Sequence, residues 1–204
     1  MDNQTPYKKF SNITYGDSAF KELAGHLGSS ANRETYHLSL FLGYYSPDKQ
    51  EAVKQISQAA NLEVEQIDLN DIVSLSETET FAHIDQLFEE YQNSNAILYF
   101  TNGDKLCSAY TGFTNSRVKY ATPQERYFIK KVQDYKGIII IDISDHTAAD
   151  ATIRRAAQSI VHFPLPESPF RRFVWNLRNW SPHGYDIKPE RPEEVYNKAE
   201  STTE

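Results

Sequence analysis

Short apolar runs and stretches of helical periodicity alternate along most of the chain. Residues 36–43 (YHLSLFLG) are rich in strand-forming side chains, and residues 62–69 (LEVEQIDL) alternate apolar and polar positions. Two near-continuous apolar runs, 96–100 (AILYF) and 137–143 (GIIIIDI), are typical of strands buried on both faces of a parallel sheet. A fifth strand is predicted at 159–163, where the chain reaches a proline.

Helices are predicted between these strands. Residues 47–61 and 78–92 place apolar side chains along one helical face, and residues 124–135 form a further helix. The alternation of strand and helix favours the α/β class. We expect a doubly wound, parallel, five-stranded sheet with ligands at the carboxyl ends of its strands.

The chain divides into three parts on its sequence pattern. Residues 1–35 carry a weak apolar pattern, and we expect an N-terminal extension that covers the core. Residues 36–180 form the predicted α/β core. Residues 181–204 are polar and rich in proline, which predicts a C-terminal tail.

The composition favours a soluble globular domain and limits the kinds of partner that it can bind. The 204 residues contain 39% hydrophobic and 24% charged side chains, which is ordinary for a soluble globular domain. A net charge of −7 argues against a nucleic-acid partner, and the absence of a long apolar run argues against a membrane partner. The single cysteine, Cys107, fits a cytoplasmic setting, and the histidines lack metal-ligand spacing, so no metal is expected.

The turn after the first predicted strand carries candidate chemistry. It reads GYYSPDKQ over residues 43–50, and Gly43 and Lys49 stand at the spacing of a phosphate-binding P-loop. Pro47 has no N–H to donate, and Asp48 places a carboxylate where a phosphate would bind. Gln50 replaces the hydroxyl that would hold magnesium. Losing such charge-assisted hydrogen bonds costs about 1.5–3 kcal/mol each.

The same turn also fits an ordinary helix start. Ser46 can be an N-cap, Pro47 the first helical residue, and Asp48 a favourable charge for the helix dipole. Both interpretations, a weakened phosphate site and a plain helix N-terminus, remain open at this point.

The third predicted strand resembles the Walker B segment of the AAA ATPases. In that family the strand ends in Asp-Glu, followed by a small residue, Asp, another residue and Leu. Here residues 95–100 match, as do Asp104 and Leu106, but Thr101 and Asn102 replace the Asp and Glu. The resemblance implies that the magnesium ligand and the residue that polarises the attacking water are both lost.

Further segments with the same order and spacing extend the resemblance over residues 36–178. Residues 137–144 are similar to the sensor-one strand, although Ser144 replaces the usual Asn. Within this family, the sequence resembles in particular the AAA proteins of bacterial contractile injection systems. It implies a sheet of the P-loop NTPase type with a truncated helical lid, and it makes Gly43, Lys49 and Asp104 vestigial nucleotide ligands.

Two clusters of arginine are candidates for contact with a partner. Residues 150–155 resemble the arginine-finger segment of the family, so Arg154 and Arg155 could act in trans on a neighbouring subunit, or they could be surface ion pairs. Residues 170–180 (FRRFVWNLRNW) mix arginines with large aromatics. They form either a partner-binding helix or the first helix of a truncated lid, and the interface candidates there are Arg171, Arg172 and Trp175.

Three functions follow from these observations. The first is a catalytically inactive AAA-like domain that acts as a binding, assembly or regulatory module, alone or with an intact AAA paralogue or an injection assembly. The second is a weak ATP or ADP binder with little or no hydrolysis. The third, an active ATPase, requires compensation for the Walker A hydroxyl, both Walker B acids and the lid. We therefore expect no catalytic residues and no obligatory cofactor.

Overall fold

A computed structural model of the protein describes residues 10–29, 35–106, 121–144, 149, 151–166 and 168–178. All structural statements below concern these residues. The predicted polar tail at 181–204 lies outside them, as do Cys107 and Asp150.

Strands and helices alternate along the described chain. The strands are β1 (Phe10–Thr14), β2 (His37–Leu42), β3 (Val64–Asp68), β4 (Ile97–Thr101), β5 (Ile138–Ile143) and β6 (Ser159–His162). The helices are α1 (Ser18–Gly28), α2 (Ser46–Ala60), α3 (Leu69–Ile72), α4 (Glu77–Glu90), α5 (Pro123–Asp134), α6 (Ala151–Ala156) and α7 (Pro169–Arg178). A 3₁₀ turn spans Gly103–Lys105.

All six strands join one parallel sheet in the order β1-β6-β2-β5-β4-β3. The α/β class is confirmed, but the predicted number of five strands is wrong. The sixth strand is β1, which comes from the N-terminal extension and pairs with β6 at one edge of the sheet. Its sequence, FSNIT, has only two large apolar side chains, so the pairing with β6 rather than its own pattern determines its conformation.

The helices cover both faces of the sheet and bury two apolar clusters. One cluster joins α1 and α2 to one face, through side chains such as Leu23 and Ile56. The other joins α4, α5 and α6 to the opposite face, through side chains such as Ile84 and Phe128. The connections from β1 to β2 and from β2 to β3 run toward the β3 edge of the sheet, and their helices α1 and α2 lie on one face. The connections from β3 to β4, β5 and β6 run in the opposite direction, and their helices α4, α5 and α6 lie on the other face. A single handedness of crossover explains that arrangement.

The helix boundaries follow local capping chemistry. Ser76 accepts a hydrogen bond from the Glu79 N–H at the start of α4, and Thr122 does the same for the Glu125 N–H at the start of α5. The helix α2 begins at Ser46 itself, so Tyr45 occupies the cap position predicted for Ser46. The left-handed Asn61 (φ 50°) ends that helix.

The chain forms two compact units, Met1–Leu165 and Pro166–Glu204. The first unit holds the whole sheet and helices α1 to α6. Of the second unit, the structure describes the helix α7 and the short segment before it. A helix is therefore present where the sequence predicted either a partner-binding helix or the first helix of a truncated lid, and it belongs to the second unit.

A buried polar cluster lies at the amino ends of β2 and β6. The Ser159 hydroxyl contacts the Ser39 hydroxyl at 2.6 Å and the Nε2 atom of His37 at 3.0 Å. All three side chains are buried. Burial, together with the nearby His26, lowers the pKa of His37 to about 3, so this imidazole is neutral in the folded protein at physiological pH.

Candidate functional site

The carboxyl ends of β2 and β5 form the crevice in which this type of sheet binds ligands. The two strands are adjacent, and they pair from His37 opposite Ile138 to Leu42 opposite Ile143. The helix after β2 packs on one face of the sheet, whereas the helix after β5 packs on the other. In open α/β sheets this reversal opens a crevice at the strand ends, and ligands bind there.

An internal ion pair lies at these strand ends. The ammonium group of Lys49, in the first turns of α2, bonds to the Oδ1 atom of Asp142 on β5. The side chain of Lys49 is 2% exposed and that of Asp142 is 13% exposed. The ammonium also donates to the Ile143 carbonyl at 3.4 Å. Buried charges occur almost only in such pairs, since an isolated ion is costly to remove from water.

The tyrosine Tyr99 completes the arrangement around the carboxylate. Its hydroxyl donates to the Oδ2 atom of Asp142 at 3.0 Å, so both oxygens of the carboxylate have a donor. Burial and the carboxylate both raise the pKa of Tyr99, which keeps its proton on the hydroxyl. Burial lowers the pKa of Lys49, and the charge of Asp142 opposes that shift. The Asp142 carboxylate is therefore the acceptor for two donors, the Lys49 ammonium and the Tyr99 hydroxyl.

The backbone of the turn at residues 43–50 also takes part in internal hydrogen bonding. Gly43 has φ 135°, a conformation that favours glycine, and a Cβ at this position would collide with the Phe163 carbonyl. The Gly43 N–H donates to the Ile143 carbonyl at 3.1 Å. That N–H binds β5, whereas in a P-loop the backbone N–H groups face the phosphates.

Polar side chains after β4 bond to neighbouring strand ends. The Asn102 amide, held at a left-handed φ of 57°, donates to Asp68 at 2.8 Å. The Thr101 hydroxyl donates to the Ile67 carbonyl at 3.4 Å. Asp104 accepts a hydrogen bond from the Ser144 N–H at 2.8 Å. The two positions that are Asp and Glu in the AAA family are thus used here for contacts with β3.

The structure brings the three predicted ligand residues to one place. Gly43 and Lys49 both donate to the Ile143 carbonyl, and Asp104 binds the next residue, Ser144. The charge of Asp104 also acts on Lys49 and raises its pKa. P-loop spacing predicted Gly43 and Lys49, and the resemblance to the AAA family added Asp104, although neither showed what these residues bind.

Sequence reasoning missed Asp142 and Tyr99. The available signal was the single charged side chain in the run GIIIIDI, because a carboxylate in a strand buried on both faces needs a partner. The partner could not be named from the sequence, since Lys49 and Asp142 are 93 residues apart.

The predicted arginine candidates lie on two short helices. Arg154 and Arg155 lie on α6, where the Arg154 Nε donates to the Ala149 carbonyl at 2.9 Å and Arg155 is exposed. Arg171 and Arg172 are exposed on α7, and Trp175 of the same helix is half-buried. These four arginines and the tryptophan remain candidates for contact with a partner.

Neither a metal-binding cluster nor a membrane-spanning helix is present in the described residues. No group of three or more His, Cys, Asp or Glu side chains there is arranged to hold a metal ion. None of the helices in that part of the chain has the length and apolar character needed to cross a membrane.

Comparison with known proteins supports the fold. No protein-family model matches the sequence, and no curated protein matches it. The fold is similar to that of a chain in the E. coli MS115-1 HORMA:CdnC:Trip13 complex. The TM-score is 0.52 with 13% sequence identity, over 84% of this chain and 69% of that chain.

This likeness shows the fold alone. At 13% identity it does not carry a function from that complex to this chain. The α/β class with a parallel sheet is therefore confirmed, whereas the P-loop NTPase type and a link to contractile injection systems stay predictions.

Proposed function

We propose that this protein is a catalytically inactive AAA-like domain that acts as a protein-binding, assembly or regulatory module. It retains the sheet and the crevice of a nucleotide-binding fold but uses the crevice for its own internal contacts. The single observation that carries the proposal is the buried ion pair of Lys49 and Asp142.

The ion pair opposes nucleotide binding, because Lys49 already has the Asp142 carboxylate as its counter-ion and does not need a phosphate. A phosphate group at this position has to displace a carboxylate that also accepts from Tyr99. It then lies close to the negative charges of Asp142 and Asp104. Like charges within a few ångströms in a crevice of low polarity repel strongly.

Hydrolysis faces a second obstacle at the end of β4. Asn102 carries an amide, which cannot act as a general base, and this amide is bonded to Asp68. Loss of general-base assistance typically lowers a rate by about 10²–10⁴-fold. These observations support a role in binding rather than catalysis.

A protein partner has support of a different kind. The structural neighbour belongs to the HORMA:CdnC:Trip13 complex, which contains several proteins. The chain also has 13 tyrosines, and arginines such as Arg155 and Arg171 are exposed. Tyrosine and arginine are enriched where proteins bind one another.

Calorimetric titration of the full chain with Mg-ATP and with ADP tests the proposal. We expect no saturable heat up to millimolar nucleotide, and thermal unfolding that nucleotide leaves unchanged. A ligand at about 100 times its dissociation constant adds roughly 2.7 kcal/mol, so bound nucleotide raises Tm by several degrees.

The alternative function is a weak ATP or ADP binder, favoured by the convergence of Gly43, Lys49 and Asp104 at the end of β5. Saturable heat that disappears in the double variant Lys49→Met/Asp142→Asn establishes this alternative and contradicts the proposal. Heat that persists in the double variant comes from nucleotide bound elsewhere, and then Lys49 is not its ligand.

A further inference from the structure

Exposed large apolar side chains occur at two places in the described residues. Leu75, in the loop between α3 and α4, is 108% exposed. On α7, Phe170, Phe173 and Leu177 are 73%, 60% and 52% exposed. Their spacing of three and four residues places these three side chains on one face of the helix. We call them the α7 face.

Hydrogen bonds tie the loop that carries Leu75 to the start of α4. The Ser74 N–H donates to the Thr80 hydroxyl at 3.0 Å, and the Ser74 hydroxyl donates to Glu79 at 2.8 Å. On the other side of Leu75, the Ser76 N–H donates to the Ser74 hydroxyl at 2.9 Å. The backbone on both sides of Leu75 is therefore fixed, while its side chain projects into solvent. A preorganised apolar side chain loses little conformational entropy when it binds.

The charges around the two surfaces have opposite signs. Residues 55–104, which include the Leu75 loop, contain no lysine or arginine. Their ten acidic residues are Glu63, Glu65, Asp68, Asp71, Glu77, Glu79, Asp85, Glu89, Glu90 and Asp104. The helix α7 (Pro169–Arg178) contains three arginines and no acidic residue. Some of the acidic charge is neutralised within the chain, for example at Asp85, which pairs with Lys131.

We propose that the α7 face of one copy of this chain docks against the Leu75 loop of a second copy. The two surfaces are complementary in both respects, since each offers exposed apolar side chains and they carry opposite charge. Pairing of two α7 helices with each other is disfavoured, because it brings six arginines together. A membrane surface is disfavoured, because anionic lipid offers no complement to the exposed Leu75 loop and its acidic surroundings.

This contact joins different surfaces on the two copies. It is therefore heterologous, and repetition of it builds rings or open chains rather than a closed symmetric dimer. The oppositely charged surroundings guide the approach, and added salt weakens the association. Self-association at these surfaces and the absence of nucleotide binding are independent, so either can fail alone.

Sedimentation equilibrium of the full chain tests the proposal. Because the contact is small, we expect the mean mass to rise above 23.5 kDa between about 1 µM and about 500 µM protein. Leu75→Ser and Phe173→Ser are each expected to weaken association at least about tenfold. Asn176→Ser, which changes an exposed polar side chain on the same helix, serves as the matched control and leaves the mass unchanged.

A mixing experiment separates loss of the contact from loss of the fold. The Phe173→Ser chain keeps its Leu75 loop, and the Leu75→Ser chain keeps its α7 face. Each alone is expected to be monomeric, whereas a mixture forms a complex of two chains that cannot grow further. Wild-type protein that stays at 23.5 kDa, association that survives both substitutions, or a mixture that stays monomeric overturns the proposal. Monomeric protein that sediments with anionic vesicles through Phe173 also overturns it and assigns α7 to lipid.

Discussion

Replacing Asp142 with asparagine is expected to destabilise the protein by about 3–5 kcal/mol, because the substitution leaves the charge of Lys49 buried without its counter-ion. For a chain of this size, that loss lowers Tm by roughly 6–20 °C. Lys49→Met is expected to have an effect of similar size, since it leaves the Asp142 carboxylate with Tyr99 as its remaining side-chain donor. Chemical denaturation of each variant measures both effects.

The double variant Lys49→Met/Asp142→Asn distinguishes an ion pair from general damage to the core. It removes both charges at similar volume, so it is expected to recover much of the lost stability. Lys131→Met is the matched surface control. Its pair with Asp85 is 2.5 Å long but much more exposed, so the cost is expected to be below about 1 kcal/mol. Single variants at Lys49 and Asp142 that cost no more than this control contradict the account.

The stability of the protein is expected to fall as the pH falls from about 6.5 to about 3. Burial lowers the pKa of His37 to about 3, whereas an unfolded histidine has a pKa near 6.5. Between these values the unfolded chain binds a proton that the folded chain excludes, so stability is lost on acidification. The slope is about 1.4 kcal/mol per pH unit, and the total is roughly 5 kcal/mol.

Urea denaturation at a series of pH values measures this slope. His37→Gln keeps a polar group near the Ser159 hydroxyl and removes the titration, so its stability is expected to change less steeply with pH. His83→Gln, which replaces an exposed histidine, is the control and keeps the wild-type slope. If His37→Gln and wild type have the same slope below pH 6.5, His37 is not the group that couples stability to pH.

Much of the fold could be predicted from apolar pattern because most strands are buried on both faces. The runs around Ile97–Thr101 and Ile138–Ile143 are continuous, and both are strands. The edge strand Phe10–Thr14 was missed because it has few apolar side chains and depends on pairing with β6. The order of the strands could not be predicted either, since sequence spacing does not tell which strand lies beside β2.

Only the part of the candidate site that is local in sequence could be predicted. Gly43 and Lys49 lie within one turn, so their spacing carries the signal. Asp142 reaches Lys49 only because β5 is the neighbour of β2 in the sheet, and that neighbour is settled by tertiary structure. A lysine at P-loop spacing thus locates the crevice, whereas the strand beside it determines whether the lysine faces a phosphate or a carboxylate.

The claim that Lys49 already holds its anion is tested most directly by a crystal structure of the wild-type protein grown with millimolar Mg-ATP. The account predicts that the Lys49 ammonium remains bonded to Asp142 and to the Ile143 carbonyl, with no phosphate in the turn at residues 43–50. A phosphate bound to Lys49, with Asp142 displaced, contradicts the account and makes the protein a nucleotide binder.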